Sequence, residues 1–146
     1  EIAMSLLKRV RIPEQALKDG APQIRMQAAA ALSERNGGVS AVPLLRALDA
    51  ERDDEVKTAF LIALGRLASP PAVKRLIAVA QPERRLFHRK VAALRIAAVQ
   101  GLANAGTPEA LDALCALQED KEVDVRQAVL HALTRAVGDA WRPPEP

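Results

Sequence analysis

Apolar residues recur along this chain at helical spacing, and one helical pattern returns four times. Each of the four segments opens with an aliphatic residue followed by Arg or Lys, and closes with Ala or Gly followed by Leu. Their first residues lie 32, 38 and 31 positions apart. A register that recurs in this way predicts a repeat protein built from one supersecondary unit. The four segments, here called first-type segments, are 24–32, 56–64, 94–102 and 125–133.

A second helical pattern, here called second-type, lies between the first-type segments at 42–48, 73–79 and 111–117. A helix-start signal precedes each one, because Ser or Thr caps free backbone N–H groups and proline is tolerated in a first turn. Glycines are expected to end the helices before them. The signals are Ser40, Ser69 with Pro70 and Pro71, and Thr107 with Pro108, and the glycines are Gly37, Gly38 and Gly106.

Two short helices cannot bury an apolar face alone, so the repeated pairs must stack into a continuous core. The predicted fold is therefore all-α, a right-handed α–α superhelix of about three and a half helical pairs in one domain. An opening helix is predicted over 2–11, and Trp141 is predicted to cover the last helix. The predicted divisions of 1–146 are a capping region 1–18, repeats 19–50, 51–81 and 82–120, a half repeat 121–138, and a proline-rich tail 139–146.

Composition sharpens this picture. Hydrophobic residues make up 49% of the chain but aromatic residues only 2%, so the core must consist of Ala, Leu, Val and Ile. The sequence contains no run of about 18 uncharged apolar residues, which is the length that a membrane-spanning helix needs. The single cysteine, Cys115, excludes an internal disulfide, and its leucine neighbours predict that it is buried. Together these features favour a cytoplasmic protein, and the start at Glu1 without Met suggests a piece of a longer chain.

The repeated phrases resemble the HEAT-like repeat family, particularly its short bacterial version related to phycobilisome lyase repeats. The resemblance covers about residues 19 to 138 and implies a helical solenoid whose second-type helices line the concave surface. It implies little about function, because function resides in sites added to folds. The matching phrases are Asp53 with Val56-Lys57 and Ala63-Leu64-Gly65, Asp124-Val125-Arg126 with Ala132-Leu133, and Gly106-Thr107-Pro108-Glu109-Ala110-Leu111.

Charge is concentrated in one part of the chain. The whole sequence carries only +3, whereas residues 74–95 hold seven basic side chains and one acidic one. This block coincides with an insertion of about six residues near 81–90, and insertions in repeat arrays often bind partners. An anion-binding patch and a solvated face paired with neighbouring acids both fit. The candidate partner-binding residues are Arg46, Lys74, Arg75, Arg84, Arg85, Phe87, His88, Arg89 and Lys90.

Four other basic residues recur in register, one in each first-type segment. Their equal placement predicts a structural ladder that pairs with acidic residues at helix starts, such as Asp53 and Asp124. The four are Arg25, Lys57, Arg95 and Arg126.

Catalytic motifs are not found in the sequence. His88 and His131 are the only histidines, and neither is followed by Glu. Deoxyhypusine hydroxylase, an enzyme with HEAT repeats, binds iron through His-Glu pairs, so the resemblance does not imply that activity here. There is no Gly-rich phosphate loop and no serine nucleophile elbow. The sequence therefore predicts no metal, no cofactor and no enzyme activity.

The leading functional hypothesis is a protein-interaction scaffold that binds an acidic or amphipathic partner, another protein or an acidic peptide, through the concave face and the insertion. Nucleic-acid binding through the same basic patch is an alternative, although the aromatic residues that stack on bases are lacking. A third hypothesis is an accessory subunit of a bilin-lyase-like enzyme. The oligomeric state stays open.

Overall fold

A computed structural model describes residues 13–34, 40–83 and 91–137 of the chain. Within these ranges the chain forms eight helices and no strand. None of these helices is both long enough and apolar enough to cross a membrane. The helices are α1 (Pro13–Ala16), α2 (Pro22–Ser33), α3 (Val42–Ala50), α4 (Asp54–Leu67), α5 (Pro70–Ala80), α6 (Ala92–Ala105), α7 (Pro108–Ala116) and α8 (Val123–Val137).

The helices form two layers. The first layer comprises α2, α4, α6 and α8, which contain the first-type segments, and the second layer comprises α3, α5 and α7. Each first-layer helix packs on the next one along the chain. In the second layer, α3 packs on α4, whereas α5 and α7 each pack on the first-layer helices before and after them. The predicted all-α solenoid of about three and a half helical pairs is confirmed. The predicted opening helix at 2–11 and the tail with Trp141 lie outside the described residues.

Small residues let the first-layer helices approach closely. A Cβ atom added at Gly65 would lie 2.2 Å from the carbonyl oxygen of Gly101 and 2.6 Å from its Cα atom. A Cβ atom at Gly101 would lie 2.8 Å from the carbonyl oxygen of Leu61. Because such distances are too short for real atoms, only glycine permits this crossing of α4 and α6. Alanines fill much of the remaining contact, as the low aromatic content predicts.

The second-layer helices touch one another at few points, although the first-layer helices are in extensive contact. In a curved two-layer array, the layer whose helices lie closer together is on the inside of the curve. The first layer is therefore the concave one. The expectation that second-type helices line the concave surface is wrong.

Local capping signals explain where several helices begin. The Asp53 carboxylate accepts hydrogen bonds from the backbone N–H groups of Glu55 and Val56, and Thr107 Oγ1 accepts one from Ala110. Ser69 precedes α5 as predicted, but its hydroxyl makes no capping bond and is buried without a partner. The prolines that follow it lack the N–H groups that a cap would accept from.

Two first-layer helices end in the same left-handed conformation at equivalent positions. Gly106 follows α6 with φ 62°, as predicted for a glycine at a helix end, and Ala68 follows α4 with φ 56°. A residue with a Cβ atom is strained in this conformation, whereas glycine is not. The two turns thus share geometry but differ in strain.

Cys115 is exposed, and the prediction of a buried thiol is wrong. Leu114 and Leu117 are the buried residues of this segment. One helical position is about 100° of rotation. Cys115 therefore points away from the core that its neighbours occupy.

Candidate partner-binding surfaces

The candidate basic residues do not form one groove among the described residues. Arg46 and Lys74 are exposed on α3 and α5. Arg75 is held by Asp49 of α3, with Nη1 2.7 Å from Oδ1, so part of its charge is neutralised within the fold. The remaining candidates lie outside the described residues and are Arg84, Arg85, Phe87, His88, Arg89 and Lys90.

Lys74 and Arg75 are adjacent in sequence but line different cavities. Lys74 and Glu109 border a cavity of about 300 Å³ between α5 and the start of α7, whose other walls are mostly apolar. Arg75 and Lys57 border another cavity of about 390 Å³. Neighbouring helical positions diverge by about 100°, which explains the separation.

Arg25 joins two repeats through a fixed guanidinium group. Its Nη1 donates to the carbonyl oxygens of Asp19 and Gly20 at 2.8 and 3.2 Å. Its Nε and Nη2 donate to the two carboxylate oxygens of Glu51 at 2.7 and 3.1 Å. The hydrogen bond to Glu51 raises the pKa of Arg25 above its ordinary value. The group therefore stays cationic and acts as a two-sided clamp.

The pKa of Glu51 shifts in the opposite direction, below its ordinary value. Burial by itself raises the pKa of the Glu51 carboxyl, but the hydrogen bonds from Arg25 and from the backbone N–H groups of Asp53 and Arg52 outweigh it. The resulting pKa lies below the ordinary value, so this carboxylate is ionised at neutral pH. Glu51 is thus the acidic partner that the turn before α4 offers to α2.

Arg95 and Asp120 make the corresponding contact between α6 and the turn before α8. Both side chains are buried, with 2% and 4% of their surfaces exposed. Arg95 Nη1 and Nη2 donate to the two Asp120 oxygens, and Nε donates to the carbonyl oxygen of Ala80 at 3.0 Å. The hydrogen bond from Arg95 holds the pKa of Asp120 below its ordinary value. The buried pair is therefore charged on both sides.

Lys57 and Arg126 complete the recurrent set, but within the described residues neither reaches a carboxylate in a following turn. Lys57 Nζ lies 3.7 Å from Asp54, one turn earlier on its own helix. Arg126 Nη1 donates to the carbonyl oxygens of Asp120 and Lys121 at 2.7 and 3.3 Å.

Arg25 pairs with Glu51 and Arg95 pairs with Asp120. The predicted acidic partners of this recurrent set, Asp53 and Asp124, are therefore wrong for these two arginines. Spacing alone misses Glu51 and Asp120 because both acids lie in turns.

An acidic cavity of about 610 Å³ opens near the turn before α8. Arg95 and Lys121 also line it, but Arg95 already pairs with Asp120. Its acidic lining consists of Glu83, Glu119, Asp120 and Glu122. Among the described residues, no group of three or more His, Cys, Asp and Glu side chains is placed to hold a metal ion.

The open side of the first layer forms a further surface, here called the inner face. The sequence analysis did not identify this face, although the repeat register contains the signal for it. Its centre consists of two rows of half-buried or exposed side chains, each contributing one residue per helix. The rows are Met26, Thr58, Ile96 and Gln127, and Ala30, Ile62, Gln100 and His131.

Residues 85–142 match the family model of HEAT repeats. The resemblance to HEAT-like repeats is thereby supported for this part of the chain. Solved structures that match include human deoxyhypusine hydroxylase in complex with glycerol, with a TM-score of 0.68 and 26% sequence identity. The match covers 88% of this chain and 43% of that chain, so the chain spans less than half the length of that enzyme. No curated protein matches the chain.

The prediction that this chain is not an enzyme is contradicted by this likeness, because the similar structure is an enzyme. The prediction rested on the lack of catalytic motifs and of His-Glu pairs. A motif search within one helical array does not test what such an array does as part of a longer enzyme. The narrower assignment to bacterial, phycobilisome-lyase-type repeats stays a prediction.

Proposed function

We propose that this chain is a helical-repeat scaffold that binds another protein through its inner face and the basic segment 84–90. The observation that carries the proposal is the composition of the two central rows of the inner face. None of their eight side chains is Asp, Glu, Lys or Arg, and Met26, Ile62 and Ile96 are half-buried apolar residues. Depletion of charge at the centre of a surface is typical of protein interfaces.

Charged residues flank these rows and supply the rim. One edge carries Glu55 and Asp124, and the opposite edge carries Arg66 and Arg135. A polar rim around a less charged centre is the usual anatomy of an interface between proteins. A polypeptide lying across the four helices would meet acidic groups along one side and basic groups along the other.

Nucleic acid fits the inner face less well. Phosphate groups are bound by several Lys and Arg side chains, and affinity then falls steeply with salt. Among the described residues of this face, the basic side chains Arg66 and Arg135 stand at one edge only. The basic segment 84–90 lies outside the described residues, and its charge favours an acidic protein partner by attracting it during encounter.

Glutamine-to-glutamate changes test the inner face with little risk to the fold. Gln100 and Gln127 are exposed in the two rows, and Gln15 is exposed on α1, away from the face. The Gln100→Glu, Gln127→Glu double variant should reduce capture of an acidic partner at least about tenfold, which corresponds to about 1.4 kcal/mol. Gln15→Glu should leave capture unchanged.

The measurement is quantitative capture from a lysate at low and moderate salt, with proteins and nucleic acids both identified. Support is a protein that survives moderate salt and is lost from the double variant alone. Charge reversal at Arg84, Arg85 and Arg89 should also weaken its capture without lowering Tm. Proteins captured equally by all variants would contradict the proposal, and nucleic acid lost with rising salt would favour the alternative.

A further inference from the structure

The two junctions between second-layer helices differ in how they are held. Between α3 and α5, Arg75 pairs with Asp49, with Nη1 2.7 Å from Oδ1. Between α5 and α7, Ala113 stands at the repeat position of Arg75, 38 residues later, so the same ion pair cannot form there. The cavity of about 300 Å³ described above lies at this second junction.

The walls of this cavity are mostly apolar. On the α5 side, Val73 is buried and Ile77 is half-buried, next to Ala68. Thr107 lines the α7 side, but its hydroxyl already accepts the capping hydrogen bond from Ala110. Small-molecule sites are mostly apolar cavities of about 300–1,000 Å³, and this one is at the lower end of that range. The cavity therefore fits a small ligand with an apolar part.

Two opposite charges border the cavity and do not pair with each other. Lys74 lies on the α5 side and Glu109 on the α7 side, and both residues are exposed. Neither side chain makes a hydrogen bond or an ion pair with a described residue. Their charges can thus bind a ligand that carries a carboxylate and an ammonium group next to its apolar part.

Described residues form both sides of this cavity. The segment 84–90 joins the chain after the last turn of α5, whereas the cavity lies beside the first turns of that helix. Residues 138–146 follow α8, which packs on α6 and α7. Because the cavity lies between two described repeats, a further repeat at either end of the array would not cover it.

We propose that the cavity between α5 and α7 binds a zwitterionic α-amino acid with an apolar side chain. Lys74 pairs with the ligand carboxylate, Glu109 pairs with its ammonium group, and the apolar side chain lies against Ile77. Hydrogen bonds between ionised groups are stronger than those between neutral ones. The ligand thereby joins α5 to α7, as the ion pair of Arg75 with Asp49 joins α3 to α5.

This site is separate from the inner face. The cavity lies in the second layer, whereas the inner face belongs to the first layer. Either proposal can therefore fail without the other.

Leucine and analogues that lack one of its groups test the site. The full chain, labelled with nitrogen-15, is titrated with L-leucine at neutral pH, and the amide signals of Val73 and Thr107 are followed by NMR. Leucine should shift these signals until they saturate. Leucinamide lacks the carboxylate and isocaproate lacks the ammonium group, so each should bind about threefold more weakly, the effect of one exposed ion pair. Glycine keeps both charges but lacks the apolar side chain, and it should also bind more weakly.

Variants of the full chain assign each charge to its residue. Lys74→Gln should bind leucine and leucinamide equally, and Glu109→Gln should bind leucine and isocaproate equally. Lys18→Gln and Glu14→Gln make the same changes at exposed positions in and beside α1, which packs on α2, and should leave both preferences intact. Ile77→Ala should weaken all three ligands. Circular dichroism spectra confirm that each variant is folded.

Four results would overturn the proposal. The first is no saturable shift of the Val73 and Thr107 signals with leucine in the millimolar range. The second is binding of leucinamide and isocaproate as tight as that of leucine. Equally tight binding of N-acetyl-leucinamide, which carries neither charge, would assign the cavity to an apolar side chain of a polypeptide. Tighter binding of leucine by Trp141→Ala would assign it to the last residues of this chain.

Discussion

Leu61 and Leu130 are the same residue type at the same repeat position, but their surroundings differ. Leu61 lies in the interface between α4 and α6 and is 1% exposed, whereas Leu130 lies on the open face of α8 and is 50% exposed. The repeat register directs both side chains toward the next repeat. Burial depends on whether a helix is there to receive them.

The basic residues extend this comparison from apolar to ionic contacts. Arg95 is buried and both of its terminal nitrogens bind Asp120, whereas Arg126 keeps two nitrogens without a described acceptor. An internal arginine of this kind stabilises the joint between repeats.

The largest expected effect separates the two leucines directly. Leu61→Ala should lower the free energy of unfolding by about 2–5 kcal/mol, because it removes buried apolar contacts and leaves a cavity. Leu130→Ala should change it by about 0.5 kcal/mol or less, as expected for an exposed position. Urea unfolding followed by circular dichroism measures both. Equal losses at the two positions would show that α8 is covered after all.

Asp120→Asn should lower the free energy of unfolding, measured by urea unfolding, by about 3 kcal/mol, because it leaves Arg95 buried without its counter-charge. Asp112→Asn, at an exposed position of α7, is the matched control and should be nearly neutral. A loss at Asp112 as large as at Asp120 would contradict the special role of the buried pair.

Asp120 also predicts a dependence of stability on pH. Its pKa is lowered in the folded chain. Its contribution is therefore fully present above the ordinary carboxyl pKa of about 3.9, and is lost as the pH falls through the lower folded value. Urea unfolding between pH 7 and pH 2 should show this loss in the wild type, and Asp120→Asn should flatten the acid limb. Parallel pH profiles for the two proteins would be the contrary result.

The smallest expected effect concerns Ala68 and Gly106, the residues that end α4 and α6. Ala68→Gly should raise the free energy of unfolding by about 1 kcal/mol, because it removes the strain of a left-handed alanine. Gly106→Ala should lower it by a similar amount. Ala93→Gly, within helix α6, serves as the control of opposite sign, since glycine lowers helix stability there. Differential scanning calorimetry measures these differences in stability. A lower stability of the Ala68→Gly variant would contradict the shared geometry of the two turns.

Much of the fold follows from local sequence patterns. The first-type segments all lie in first-layer helices, and the second-type segments form the second layer, with Leu117 just beyond the end of α7. Helical spacing and capping residues are local signals, so they can be read without knowledge of the neighbours. The burial of Cys115 was predicted wrongly because surrounding leucines indicate a buried helix face but not which intervening position turns away from it.

The candidate sites could be predicted from the sequence less completely than the fold. The register of Arg25 and Arg95 marked them as recurrent, but their partners Glu51 and Asp120 lie in turns whose paths depend on packing between repeats. The inner face required knowledge of which layer is concave. That depends on how closely Gly65 and Gly101 let α4 and α6 approach, a contact between residues 36 positions apart.

The sequence by itself determined the helices, their repeat register and the direction in which each basic residue points, because these depend on interactions within a few residues. Tertiary structure decided which layer curves inward, which carboxylate meets each arginine, and which copy of a repeated side chain is buried. Those outcomes depend on contacts between repeats. Identical local sequence positions, such as those of Leu61 and Leu130, therefore have different environments and different roles.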